Sequence, residues 1–206
     1  MLSIVAPAVE KHRKMILDAE RFIWEQAAEL LAIDSPSGYT AKAAQWVKEA
    51  FESLGYDIVR AGNIPGFYTL IDTGKEGPEI LILGELDSLI IPSHPECDKE
   101  TGAVHACGHH AQCAALLGVA AALKEKEVLE KLCGKIRLCV VPAEELIDFD
   151  YRSQLRKEGK IKYFGGKSEF LSRGYFDGVD LAFMVHASTS FSVIGGHVGC
   201  IAKWIT

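Results

Sequence analysis

A chain of 206 residues that is 49% hydrophobic carries enough apolar side chain for one well-packed domain, or one domain and part of a second, and is not the composition of a disordered protein. Its net charge of −6 argues against nucleic acid and against an anionic membrane surface as main partners. No apolar run approaches the roughly 18 residues that a membrane span needs, and Met1–Lys14 lacks the charged start and apolar core of a signal peptide. The six cysteines (97, 107, 113, 133, 139 and 200) show no regular framework. With no signal peptide, this predicts a cytoplasmic protein whose cysteines are mostly free thiols in packed positions.

In chain order, Glu10–Ala32 reads as a helix, with Ile16, Ala19, Phe22, Ile23, Ala27, Leu30 and Leu31 at helical spacing, Pro7 just upstream and Asp34-Ser35-Pro36-Ser37-Gly38 as the stop. A second helix is predicted over Tyr39–Leu54, with Ala44, Val47, Phe51 and Leu54 as its buried stripe and Gly55 ending it. Short strands follow at Asp57–Arg60, Gly66–Thr73 and Glu79–Gly84, the last a nearly unbroken apolar run that suits a strand covered on both faces. Residues 88–106, broken by Pro92, Pro95 and Gly102, read as an irregular loop, and His110–Lys126 as a helix. Lys135–Val141 and Val179–Val185 are further strands. The charged, weakly periodic stretch 146–167 reads as a surface excursion with at most one helical turn, followed by a short helix over Ser168–Arg173. From Phe191 the sequence becomes Gly-punctuated β sequence. Strands alternating with helices predict an α/β fold with a largely parallel or mixed sheet flanked by helices.

In such sheets ligands bind beyond the carboxyl ends of the strands, and the chemically loaded residues fall at those ends. Cys107 and His109 flank a glycine, a spacing that lets a thiolate and an imidazole point at one metal ion from a tight loop. The predicted helix N-terminus beside them would favour the thiolate over the thiol. Alone, the pair fits a buried cysteine beside a helix-capping histidine equally well. Glu144 and Glu145 follow Val140-Val141-Pro142-Ala143 and suit a split role, one carboxylate on a metal and the other taking a proton from water. His186 ends a strand on the same predicted rim. Asp87 is placed to orient a ligand imidazole, with Glu85 two residues before it as a neighbouring acid. His94, His105, His110 and His197 have only proximity in their favour and default to structural or surface positions.

Ala106-Cys107-Gly108-His109 before an Ala-rich helix, then Pro142-Ala143-Glu144-Glu145, then a strand ending in His186, resembles the dinuclear metallopeptidase and amidohydrolase family of aminoacylases and carboxypeptidases. The resemblance is to its cysteine-containing branch of indole-acetyl-amino-acid hydrolases, aminobenzoyl-glutamate hydrolases and dipeptidase-like proteins. Gly84-Glu85-Leu86-Asp87-Ser88-Leu89 and Ser35-Pro36-Ser37-Gly38 extend it upstream. It implies a zinc-peptidase-like catalytic domain over residues 1–189, with 190–206 opening an α+β lid or dimerisation domain. The chain is then expected to be the N-terminal part of a longer, homodimeric protein, lacking a last metal-binding histidine and having little activity alone. It also implies two divalent metal ions, zinc or manganese, with Cys107 bridging them, His109 and Glu145 as further ligands and His186 a ligand on the other metal. Glu144 would be the general base, Asp87 the orienting carboxylate, and the substrate a small N-acyl amino acid, aminobenzoyl-glutamate-like conjugate or dipeptide cleaved at its amide.

The sequence departs from that pattern at His110, where the branch carries Asp or Asn, and in the longer connection from Glu145 to His186 made by residues 146–167. Two other classes of function compete: a non-catalytic relative or fragment acting as a metal-binding or interaction module, and an enzyme using Cys107 as nucleophile.

Overall fold

The computed structural model describes residues 2–25, 39–147, 149–190 and 193. The proposed stop at Asp34–Gly38, the helical reading of 26–32, and most of the predicted lid segment 190–206, including His197 and Cys200, lie outside them.

The first helical stretch is two helices, α1 (Leu2–Lys11) and α2 (Arg13–Glu25), broken only at His12. Pro7 lies inside α1 rather than upstream of it. Having no N–H, it cannot donate to the carbonyl one turn back, which a short surface helix tolerates. Helix α3 (Tyr39–Ser53) follows, burying Ala44, Val47 and Phe51.

The sheet is built from β1 (Val59–Arg60), β2 (Phe67–Asp72), β3 (Glu79–Glu85), β6 (Lys135–Val141) and β7 (Leu181–Met184) in the order β1-β2-β6-β3-β7. β3 runs parallel to both β6 and β7, while β2 is antiparallel to β6 and to β1. The sheet is therefore mixed, with a parallel half that carries the chemistry. The stretch 88–106 is not wholly irregular. It contains a small hairpin of β4 (Leu89–Ile90) and β5 (Ala103–Val104) that lies apart from the main sheet. Strands of two residues are too short to show alternation in sequence.

β6 explains why both faces are covered. Ile136, Leu138 and Val140 join the core cluster with α3 and the central helix, while Cys139 and Val141 join a second cluster with Leu81, Leu83 and Phe170. This is period-two alternation in a strand that is apolar on both sides. The central helix α4 (His109–Leu123) starts one residue earlier than its apolar pattern predicts and gives way to a separate turn, α5 (Lys126–Leu129). It is buried on nearly every side, packed between α2 and β3, so its sequence is apolar all round.

Residues 146–167 depart most from expectation. They hold a helix of nine residues, α6 (Phe149–Lys157), and lead into α7 (Gly166–Ser172). The residue α6 buries is Arg152, so hydrophobic periodicity does not register it. The excursion wraps the turn after β6. Gly166 donates its N–H to Ala143 O at 3.0 Å, and a Cβ at Gly166 would lie 1.6 Å from Pro142 O. Gly166→Ala is expected to destabilise the protein by about 1–3 kcal/mol, since backbone rather than a flexible side chain must move. Urea unfolding measures this, and an unchanged midpoint would contradict the packing.

Candidate metal centre

The register of the parallel strands assembles the site. Glu85 stands opposite Val141, and Leu86 donates its N–H to Val141 O at 3.0 Å. Two residues beyond the end of β3, Asp87 therefore meets the turn after β6 that carries Glu144 and Glu145. Its Oδ2 accepts the Glu145 N–H at 2.6 Å. On the other side Leu83 pairs with Met184, which carries the chain on to His186 at the same level of the rim. Helix α4 points its N-terminus at these ends. Gly108 has a left-handed φ of 94°, and a Cβ there would lie 3.0 Å from the Ala187 Cβ. The glycine between Cys107 and His109 is thus required by both backbone and space.

His109 is the centre of the arrangement. Its ring is 1% exposed, with Nδ1 2.8 Å from Asp87 O and 3.1 Å from Asp87 Oδ1. That places a proton on Nδ1. Nε2 lies 3.1 Å from Glu85 Oε2 without hydrogen-bond geometry and is a buried nitrogen with no hydrogen-bond partner. Two groups of donor atoms, each within 4.8 Å of one another, share His109: Cys107 with His186, and Glu85 with Glu144. Cys107 Sγ is 3.5 Å from His186 Nε2, and the His186 ring stands edge-on to His109 with centroids 5.8 Å apart. Glu145 belongs to neither group, but its carboxylate hydrogen-bonds the Cys107 thiol.

All six residues singled out in the sequence therefore lie on one rim. Two others complete it. Glu85 is 1% exposed and is gripped by α4: its N–H donates to Gln112 Oε1 at 2.6 Å, Gln112 Nε2 donates to Glu85 Oε2 at 3.3 Å, and Cys113 Sγ donates to Glu85 O at 2.9 Å. Gln112 Nε2 also donates to Val185 O at 2.8 Å, tying the end of β7 to the same helix. Lys167, from α7, pairs with Glu85 Oε1 and lies 3.4 Å from Glu144 Oε1. Glu85 was legible as the acid just past the predicted strand Glu79–Gly84 and two before Asp87, whereas nothing local marks Lys167. His110 turns away, with Nε2 3.2 Å from Glu20 Oε1 and its ring against Trp24 and His105.

The electrostatics reverse one expectation. Cys107 is not poised as a thiolate. Burial, the hydrogen bond to Glu145 and the nearby charges of Glu145, Glu144 and Glu85 push its thiol up to about 12. The carboxylates outweigh the helix N-terminus. His109 moves the other way. Burial opposes its charge, but Asp87 and then Glu85 outweigh burial and raise it to about 9. Lys167 is likewise raised, burial being more than offset by Glu85 and Glu144.

The sequence profile of peptidase family M20/M25/M40 matches residues 81–199, more than half of the chain. The chain belongs to this family. Among curated relatives it is 31% identical over 157 residues to the N-acetyl-L-cysteine deacetylase of Bacillus subtilis, which takes in 75% of this chain and 33% of that protein. It is 27% identical over 188 residues to thermostable carboxypeptidase 1 of Saccharolobus solfataricus, covering 89% of this chain and 43% of that one. Among solved structures the YXEP protein of Bacillus subtilis, a dinuclear metal binding peptidase, superposes with a TM-score of 0.63 at 22% identity, over 84% of this chain and 42% of that one. The chain thus spans between a third and a half of the length of these relatives, and the fold they share is the α/β catalytic architecture described above.

In metal-free protein, Cys107 is expected to be alkylated by iodoacetamide at pH 8 at least about tenfold more slowly than the exposed Cys133, because so little of it is thiolate. Site-resolved mass spectrometry measures both rates, and equal rates would contradict the raised thiol.

Proposed function

We propose that this chain forms the metal-binding half of the active site of an amidohydrolase or peptidase that cleaves a small N-acyl amino acid, an aminobenzoyl-glutamate-like conjugate or a dipeptide at its amide bond. The observation that carries the reading is His109 Nε2: a buried nitrogen with no hydrogen-bond partner, set among thiol, imidazole and carboxylate donors, with its other nitrogen fixed on Asp87. That donor set fits a divalent ion, and its mixed softness suits zinc or manganese without choosing between them. Cys107, His109, Glu145 and His186 would hold two such ions. Bound there, the ions supply Lewis acidity that polarises the scissile carbonyl and makes water a better nucleophile at neutral pH.

The chain's own residues supply the rest. Asp87 keeps the His109 ring in one tautomer and one orientation, and through the Glu145 N–H it also fixes the turn that carries both glutamates. Glu144 is half-buried at the mouth of the rim and accepts a proton from the attacking water, then delivers it to the leaving amine. Membership of the M20/M25/M40 family and the acylase and carboxypeptidase relatives support this chemistry. A nucleophilic Cys107 is disfavoured by carboxylate neighbours that hold it as a thiol. The net charge of −6 supports a protein with no nucleic-acid or membrane partner, and among the described residues no helix is long and apolar enough to cross a membrane. We read the whole protein as cytoplasmic and homodimeric.

The whole protein, stripped with chelator and reloaded with zinc or manganese, is expected to hydrolyse members of a panel of N-acyl amino acids and dipeptides, whereas residues 1–206 alone should turn over little. Glu144→Gln should lower kcat by about 10²–10⁴-fold while metal content stays unchanged. Turnover that survives chelation, or an E144Q enzyme as fast as its parent, would overturn the reading. Metal uptake must also displace protons from Cys107 and His109, so apparent affinity should rise as pH climbs from 6 toward about 9, with proton release visible by calorimetry in buffers of different ionisation enthalpy. A pH-independent affinity would count against these two ligands.

A further inference from the structure

The excursion after Glu145 does more than decorate the surface. Ala143 has a left-handed φ of 53°, unusual for a residue with a Cβ, and its carbonyl accepts from Gly166 N at 3.0 Å and from Arg152 Nη1 at 3.4 Å. Arg152, 2% exposed, also donates to Phe164 O at 2.7 Å and to Glu145 O. The main chain on both sides of Glu144 is thus clamped by α6 and the start of α7. From the same first turn of α7, Lys167 reaches the side chains: its ammonium sits on Glu85 Oε1 and 3.4 Å from Glu144 Oε1.

Two carboxylates close together repel, and Glu85 cannot move because Gln112 and Cys113 hold it in the core. Glu144, about a third exposed, is the free member of the pair and would swing toward solvent if the charge between them were removed. We propose that Lys167 is a positioning residue for the Glu144 carboxylate, an ammonium delivered by the excursion to hold the general base against Glu85 on the rim. The kinetic part of this proposal rests on the amidohydrolase reading; the structural part does not.

The test compares Lys167→Met, which keeps length and removes charge, and Lys167→Arg with the parent. In metal-loaded protein K167M is expected to lower kcat by about 10–100-fold, as for a catalytic group displaced by about an ångström, with KM and metal content within twofold. K167R, which keeps the charge, should recover most of that loss. A kcat within twofold of the parent in K167M, a loss that follows KM or metal content, or an absence of recovery in K167R overturns the proposal. A crystal structure of metal-free K167M gives a second readout that needs no activity: the Glu144 carboxylate should have left the Glu85 side, and an unmoved Glu144 overturns the proposal. If the parent hydrolyses nothing on the panel, the amidohydrolase reading fails while the position of Glu144 in K167M still decides the role of Lys167.

Discussion

Glu85 and Asp87 are almost wholly buried at the end of one strand, beside a turn bearing two more glutamates, and such a concentration of negative charge is costly in a protein interior unless each oxygen is paired. The pairing centres on His109. Asp87 takes one ring nitrogen, Glu85 lies against the other, and the raised proton affinity of His109 measures the field these acids create. Lys167 balances the outer side of Glu85 and Gln112 its inner side. The position of every other site residue depends on this arrangement. Asp87 fixes the glutamate turn through the Glu145 N–H, and α4 fixes β3 and β7 through Gln112.

The same field makes the rim a place for cations rather than for a reactive thiol. A cysteine beside a helix N-terminus would ordinarily lean toward thiolate, yet here burial, and with it three nearby glutamates, reverses the preference. A divalent ion would offset several of these charges at once and restore the thiolate, so ligand chemistry and electrostatic need point in the same direction.

Much of the architecture was legible because its signals were local. The apolar runs Glu79–Gly84 and Lys135–Val141 are strands buried on both faces, the first extending one residue further to Glu85, and Cys107 and His109 flank a glycine whose left-handed φ and closeness to Ala187 would strain any larger residue. The rim position of Asp87, Glu144 and His186 follows from parallel register, which strand–helix alternation anticipates. What was missed depends on polar or distant contacts. Helix α6 buries an arginine in place of an apolar stripe, and Lys167 reaches Glu85 across 82 residues of sequence. The division of the first helix at His12 and the start of α4 at His109 are end effects to which periodicity is insensitive. The preference of Cys107 for thiol could not be read from its helix alone, because the burial that raises it most, and the charges that add to it from β3 and the turn after β6, exist only in the fold.

The central claim is that His109 Nε2 is a metal-binding nitrogen between Cys107 and His186. Anomalous diffraction from crystals of the protein loaded with zinc or manganese tests it most directly. The account predicts anomalous density within coordination distance of His109 Nε2 or Cys107 Sγ, with the Nδ1 contact to Asp87 retained. Metal bound elsewhere, or none at this rim under saturating conditions, would contradict it.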